Sequence, residues 1–243
     1  MIVKLQPDGW EVIYQRAHGL LAVKLASHWR EYERGPYWVD LLAAITQHDN
    51  NQKEVRDGSQ LTQLGAPADF MVVRSSALEQ ARRVVDDASY QGRYVALMTS
   101  MHTSYIYRSK GENDSAFAAF LDEQKIAQKR WMLGLGLKKV EAERDYAIMQ
   151  WCDRCSLILC EGEIPADARR LEVTPLPDGE NSFIWQREDQ ALTVEPWPFA
   201  TNVVEVSVEV SRLSQLEFES SDALYAALKE APTTVRSWTF SKK

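Results

Sequence analysis

The spacing of apolar residues changes once along this chain, and that change constrains the fold more than any other feature. Between about residues 16 and 160 the apolar positions recur every three or four residues, which is typical of amphipathic helices. After Gly162 and Pro165, the segment NVVEVSVEVSRL at 202–213 alternates apolar and polar residues, as half-buried strands do. The sequence therefore predicts an α+β protein with helices in its middle and strands towards its end.

Turn signals divide the chain into three predicted parts. The residues Pro7, Asp8 and Gly9 lie between two apolar-rich runs and indicate a hairpin over residues 1–15. Residues 16–162 are predicted to form a mainly helical core, and residues 163–243 a smaller β-rich part packed on it. Because an isolated hairpin is only marginally stable in water, the N-terminal hairpin is expected to pack on the C-terminal sheet.

The composition restricts the partners that this chain is expected to have. A formal net charge of −7 over 243 residues argues against nucleic-acid binding, which requires clustered Lys and Arg. No apolar run approaches the roughly 18 residues of a membrane span, so no membrane partner is expected. The start MIVKLQPDGW shows no secretory signal, and all three cysteines fall between Cys152 and Cys160. These features predict a cytoplasmic protein.

Four polar side chains fall on apolar helical stripes, where they are expected to be buried. They are His18, His48, His102 and Asp153. Taken singly, each is typical of a core group with a backbone hydrogen bond or an ion pair, because a buried polar group without a partner is costly. Taken together, they are satisfied by one shared cation, since imidazole and carboxylate suit Zn, Fe, Mn and related ions.

The order His18, then His48–Asp49, then Asp153, each on its own helix or helix end, resembles the metal-binding signature of the HD superfamily of metal-dependent phosphohydrolases. His102 resembles the extra ligand of members that hold two metals. The resemblance implies an HD-like helical core and a divalent transition metal (Mn, Fe, Zn, Co or Ni) held by these five residues. It also implies a hydrolase that acts on a phosphoester or nucleotide-like small molecule through a metal-activated water, with catalytic roles for Asp49 and His102.

The overall layout also resembles an uncharacterised bacterial family of about this length. The matching stretches are MIV…GW.VI.Q..H at the start, QHDN in the middle, SMHTS.IY, WCDRCSLILC and a late PWPF. This resemblance covers nearly the whole chain, whereas the HD-type pattern covers residues 16–160. Such a family implies no assigned activity.

An anionic small-molecule substrate is expected, and four residues close to the predicted ligands in sequence are candidates for binding it. They are Arg16, Asn50, Lys129 and Arg154. Some HD phosphohydrolases have a catalytic glutamate three residues after the His–Asp doublet, where this chain has Gln52. The long polar segment that follows offers Glu54, Asp57 and Asp69 as substitutes.

Two other functions fit the same residues. The HD-like fold also resembles that of a di-iron oxygenase acting on a cyclic polyol, so an iron-dependent oxygenase is an alternative. A non-catalytic ligand-binding or scaffold protein, with the polar residues as hydrogen-bonded core groups, is another. The sequence leaves the metal, the substrate and the oligomeric state open.

Overall fold

A computed structural model describes residues 1–49, 60–72 and 77–242, and 49% of these described residues are helical. The helices are α1 (Gln15–Ser27), α2 (Trp38–Gln47), α3 (Ala77–Ser89), α4 (Arg93–Gly111), α5 (Ser115–Leu135), α6 (Lys139–Glu161) and α7 (Ser221–Glu230). The strands are β1 (Ile2–Gln6), β2 (Gly9–Ile13), β3 (Leu171–Pro175), β4 (Asn181–Gln186), β5 (Leu192–Glu195), β6 (Val203–Leu213) and β7 (Thr233–Ser241). None of the described helices combines the length and the apolar character that a membrane span requires.

Local signals in the sequence account for the ends of the two longest helices. The side chain of Asp114 accepts hydrogen bonds from the backbone N–H groups of Ala116 and Phe117, so it caps the start of α5. Helices α5 and α6 both end at a glycine in the left-handed conformation, Gly136 at φ 64° and Gly162 at φ 66°. Glycine adopts this conformation without steric cost, so both positions favour a helix end.

All seven strands form one sheet, in the order β1-β2-β6-β7-β5-β4-β3. Strand β2 pairs with β6, so the N-terminal hairpin is an integral part of the sheet. Only β5 and β7 run parallel among the described pairs, and the sheet curves into a mixed half-barrel. Helix α6 packs against this sheet: the indole N–H of Trp151 donates to Ser182 on β4 at 2.7 Å, and Arg236 on β7 donates to the carbonyl oxygen of Cys160 at 3.2 Å.

The prediction of a small β-rich part packed on an HD-like helical core was wrong. The sheet is large, it takes strands from both ends of the chain, and it shares one apolar core with the helices. The inward-facing residues of β6, Val204, Val206, Val208 and Val210, belong to the same buried cluster as Leu21 of α1. Alternation indicates that a segment is a half-buried strand, but it does not indicate its pairing partners, so the size of the sheet was underestimated.

Helices α1, α2 and α4 each pack against α6, and α2 also packs against both α1 and α4. Helix α1 has a glycine, Gly19, that lies against the backbone of α2: a Cβ built there would lie 2.6 Å from the carbonyl oxygen of Thr46. The close approach brings the middle of α1 next to the C-terminal end of α2. The polar side chains singled out from the sequence lie at this junction.

Candidate metal centre

Three histidines and two aspartates from four different helices or helix ends meet in the interior. His18 lies on α1, His48 caps the C-terminus of α2 and is followed by Asp49, His102 lies on α4, and Asp153 lies on α6. The histidines are 0%, 4% and 3% exposed, respectively. The aspartate side chains are 15% and 16% exposed, so the cluster reaches solvent through its carboxylates.

Asp153 stands at the centre of this cluster. Its Oδ1 atom lies 3.1 Å from Nε2 of His18 and 3.0 Å from Nε2 of His48. Its Oδ2 atom lies 3.9 Å from Nε2 of His102. The Oδ2 atom of Asp49 lies 3.8 Å from Nε2 of His18 and 3.6 Å from Nε2 of His48. The structure thus brings together all five residues that the sequence predicts as metal ligands.

Hydrogen bonds on the far side of two imidazoles fix which nitrogen faces the cluster. Nδ1 of His48 lies 2.6 Å from the carbonyl oxygen of Ile45, which can only accept, so Nδ1 carries the hydrogen. The hydroxyl of Ser156 donates to the carbonyl oxygen of Asp153 at 2.8 Å and therefore accepts from Nδ1 of His18, also at 2.8 Å. In the neutral imidazoles each Nε2 atom then has a free lone pair, which is directed at the carboxylates. Metal-binding histidines typically have this arrangement.

The charges of the cluster favour a positive species at its centre. Burial alone would lower the pKa of His48, but Asp49 and Asp153 raise that pKa to about 10. Burial would raise the pKa of Asp153, but the imidazoles of His48 and His18 hold it well below its usual range. Burial lowers the pKa of His102 to about 4, so this imidazole is neutral at neutral pH.

A proton satisfies this arrangement less well than a metal ion does. A proton on Nε2 of His48 compensates the facing carboxylates, yet Nε2 of His18 still has no hydrogen-bond partner among the described residues. A cation satisfies both nitrogens at once. The ligand atoms form two triads, His18–His48–Asp49 and His48–His102–Asp153, each with all atoms within 4.8 Å of one another. This donor set of nitrogen and oxygen suits Mn, Fe, Zn, Co and Ni.

A family model described as "Protein of unknown function (DUF3891)" matches residues 1–215 of the 243. The chain belongs to this family. No curated protein and no solved structure matches the chain. The predicted resemblance to an uncharacterised family is therefore confirmed, whereas the comparisons do not show an HD-type relationship.

A small cavity of this DUF3891 member lies against the cluster, between α3 and α4. Its volume of about 60 Å³ has room for roughly five water molecules. The residues around it are His48, Asp49, Gln80, Ala81, Val84, His102, Thr103, Ile106 and Tyr107. Three of the candidate ligands thus face a space that a small group can enter.

The residues predicted to bind an anionic substrate lie elsewhere or outside the described part. Arg16 and Lys129 are exposed, and Arg16 is two residues from His18, a spacing that directs side chains to different faces of a helix. Arg154 forms an ion pair with Glu163 at 2.9 Å. Asn50 lies outside the described residues, as do Gln52, Glu54 and Asp57. The binding roles of these side chains stay predictions.

The predicted substitute Asp69 has a structural contact instead. Its carboxylate accepts hydrogen bonds from the backbone N–H groups of Val3 at 3.0 Å and Met71 at 2.9 Å. These bonds attach the segment around residue 69 to strand β1, the edge strand of the sheet. The carboxylate of Asp69 therefore holds this segment at the edge of the sheet.

Two residues near the cluster were not found from the sequence. Ser156 is the acceptor for His18, and its place one turn after Asp153 was a signal, since residues three apart share a helix face. Tyr146 has its ring centroid 6.3 Å from that of His102. It lies two helical turns before Asp153, and the sequence places it on the same stripe of α6, but only as a packing position without a functional role.

Proposed function

We propose that this protein is a metal-dependent hydrolase of small phosphoesters. The observation that carries the proposal is the convergence of two oriented Nε2 lone pairs, from His18 and His48, on the carboxylates of Asp49 and Asp153. A buried cluster of this kind is costly unless a cation satisfies it. The ligand order along the chain, which resembles the HD phosphohydrolase signature, supports the same assignment.

His18, His48, Asp49 and Asp153 would hold the cation, with His102 beside Asp153. When bound, a divalent cation of this class lowers the pKa of a water ligand to near neutrality and polarises a phosphoryl oxygen. A small group bound in the neighbouring cavity would lie next to His48, Asp49 and His102. Its volume of about 60 Å³ favours a compact phosphoryl group over a whole nucleotide at this position.

Asp49 is the side chain best placed to accept the proton of the attacking water. Its carboxylate borders the cavity and is 15% exposed, so it reaches both the cluster and the space for substrate. In the reaction, the water oxygen forms a bond to phosphorus, the ester P–O bond breaks, and the water proton passes to Asp49. The same proton then returns to the alkoxide leaving group, which leaves as an alcohol.

His102 supplies hydrogen bonding rather than charge. Because burial lowers its pKa to about 4, His102 is neutral at the pH at which a phosphoester is dianionic or monoanionic. A neutral imidazole has one N–H, which can donate to a phosphoryl oxygen. His102 is therefore assigned either as a contact of the substrate or as a further ligand of the metal.

Metal content and hydrolysis measured on the same preparations test the proposal. The wild type and the His48→Ala variant are purified, analysed for transition metals and assayed with p-nitrophenyl phosphate and bis-p-nitrophenyl phosphate in the presence of Mn, Fe, Zn, Co or Ni. We expect near-stoichiometric metal in the wild type and at least roughly a 100-fold loss of kcat/KM in the variant. The proposal would be overturned by a wild type that contains no metal, together with a folded His48→Ala variant whose metal content and rate of hydrolysis are the same as those of the wild type. An iron-containing protein that consumes oxygen and hydrolyses neither ester would favour an oxygenase instead.

A further inference from the structure

The hydroxyl group of Tyr146 is buried and has no hydrogen-bond partner among the described residues. Tyr146 lies on α6 two turns before Asp153, and residues seven apart share one face of a helix. The phenol therefore lies on the side of α6 that carries the central carboxylate of the candidate metal centre.

Tyr94 shows how this fold treats a buried phenol that has a structural role. Its hydroxyl donates to Oδ2 of Asp145 at 2.7 Å, and that carboxylate also accepts from Arg144. Native structures pair the large majority of their buried polar atoms, and each exception calls for an explanation such as a ligand or a catalytic role. Tyr146 is such an exception and Tyr94 is not.

The surroundings of Tyr146 include two aromatic rings of α4 and a nearby guanidinium. The ring centroid of Tyr146 lies 6.3 Å from that of His102 and 6.5 Å from that of Tyr105. Burial and the charge of Asp153 raise the pKa of Tyr146. A tyrosine hydroxyl is protonated at neutral pH even without such a shift, so it can donate. The charge of Arg108 lowers the pKa of Tyr146 and so opposes this rise. The guanidinium of Arg108 lies 4.1 Å from the ring centroid of Tyr105. A positive charge therefore stands near the phenol on the side of α4.

A second unpaired polar atom belongs to the same neighbourhood. Nδ1 of His102 is buried and has no partner among the described residues, whereas Nδ1 of His18 and of His48 each has one. Nε2 of His102 faces Asp153, so with a cation held between them Nδ1 would carry the hydrogen of the neutral ring. Two neutral donors and one nearby guanidinium suit a ligand group rich in acceptor oxygens.

On the basis of the proposed function, we propose that Tyr146 is a substrate-binding residue whose hydroxyl donates a hydrogen bond to a phosphoryl oxygen of the substrate at the metal centre. Tyr146 does not line the cavity between α3 and α4, so the oxygen that it contacts is one directed towards α6. The donor is uncharged, so its desolvation is cheaper than that of Lys or Arg. A hydrogen bond to the substrate also accounts for the hydroxyl of Tyr146, which has no partner among the described residues. The ligand class is an oxyanion, represented by inorganic phosphate.

The variant Tyr146→Phe tests this inference with readouts that separate binding from folding. It removes only the hydroxyl, so metal content stays that of the wild type. Because no described protein group loses a partner, the melting temperature stays the same or rises. We expect the Kd of inorganic phosphate, measured by calorimetry on the metal-loaded protein, to rise roughly 10- to 100-fold, with a similar fall in kcat/KM for p-nitrophenyl phosphate.

The matched control is Tyr94→Phe, which removes a buried hydroxyl that does have a protein partner. It is expected to lower the melting temperature and to leave the phosphate Kd unchanged. If Tyr146→Phe binds phosphate with the wild-type Kd, the assignment of Tyr146 is overturned. It is also overturned if the variant lowers the melting temperature as Tyr94→Phe does and leaves the phosphate Kd unchanged. In either case a metal-loaded, active wild type leaves the proposed function standing. If the wild type holds no metal, the proposed function fails first and this inference fails with it.

Discussion

Nδ1 of His48 lies 2.6 Å from the carbonyl oxygen of Ile45, one turn earlier on α2. This carbonyl is among the last four of the helix, which have no partner within it. The end of α2 thus does two things at once: it places the imidazole at the junction with α1 and α6, and it orients Nε2 towards Asp153. The apolar run that precedes the His–Asp doublet buries the helix end and keeps this geometry away from bulk water.

Asp153 is the residue whose charge the whole cluster depends on. Asp153→Asn keeps the size of the side chain but removes the negative charge that faces three imidazoles. We expect the metal content of the purified protein to fall by at least about tenfold, because loss of a ligand is more severe than loss of a group behind it. Elemental analysis measures this directly.

A matched control for Asp153 lies on the same helix. Asp145 is a buried carboxylate whose partners, Tyr94 and Arg144, are structural. Asp145→Asn is expected to lower the melting temperature and to leave metal binding intact. Wild-type metal content in Asp153→Asn would show that Asp153 is not a ligand.

Ser156 is predicted to act through His18. Ser156→Ala removes the acceptor for Nδ1 of His18, so the ring loses its preferred tautomer and orientation. We expect metal affinity to fall roughly 10- to 100-fold while the fold persists. A metal titration followed by calorimetry measures the affinity. Ser182→Ala, which removes another buried serine hydroxyl bonded to Trp151, serves as the control and should leave the affinity unchanged.

Helix positions were predictable because helical signals are local. The apolar stripes around His18, His48, His102 and Asp153 indicated four buried helices, and the structure contains them as α1, α2, α4 and α6. The caps of α5 at Asp114 and Gly136 are local in the same way. Each of these signals depends on residues within a few positions of one another.

The extent of the sheet and the details of the centre were not predictable, because they depend on distant partners. The N-terminal hairpin was expected to pack on the C-terminal sheet, but β2 pairs with β6 across about 200 residues, and nothing in either segment specifies that strand or its register. The position of Ser156 one turn after Asp153 is visible in the sequence, but its role as the acceptor for His18 depends on α1, which packs beside it. The sequence placed the candidate ligands on helices, whereas the tertiary packing decides which atoms of those ligands face one another.

Metal binding is expected to compete with a proton on His48. The folded-state pKa of about 10 lies above the ordinary value of 6.5, so protonated His48 stabilises the metal-free protein fully below about pH 6.5. That contribution is lost as the pH rises towards 10. Metal affinity changes in the opposite sense and should rise with pH over the same range, because the cation displaces the proton.

Thermal unfolding of chelator-treated protein and metal affinity, both measured from pH 6.5 to 10, check this prediction. His48→Gln should flatten both profiles. His28→Gln is the control, since burial and Arg34 lower the pKa of His28, so its titration has the opposite direction. Metal affinity that is constant between pH 6.5 and 9 would contradict proton competition.

Gly19 is predicted to set the distance between His18 and His48. A Cβ at this position would lie 2.6 Å from the backbone carbonyl oxygen of Thr46, which cannot move without shifting α2. Gly19→Ala gains helix propensity of about 1 kcal/mol, but overpacking against a backbone atom costs about 1–3 kcal/mol. The clash therefore outweighs the propensity, and the two helices must separate.

We expect Gly19→Ala to lower the melting temperature by a few degrees, roughly 2–4 °C per kcal/mol for a chain of this size, and to weaken metal binding at least about tenfold. Gly134→Ala is the matched control, because its Cβ would meet only the flexible end of the Arg93 side chain, at 2.8 Å. That variant should gain helix propensity and become slightly more stable, by about 0.5–1 kcal/mol, with unchanged metal affinity. Calorimetric unfolding and metal titration separate the two effects. If Gly19→Ala loses stability but keeps wild-type affinity, the packing of α1 on α2 supports the fold without setting the ligand geometry.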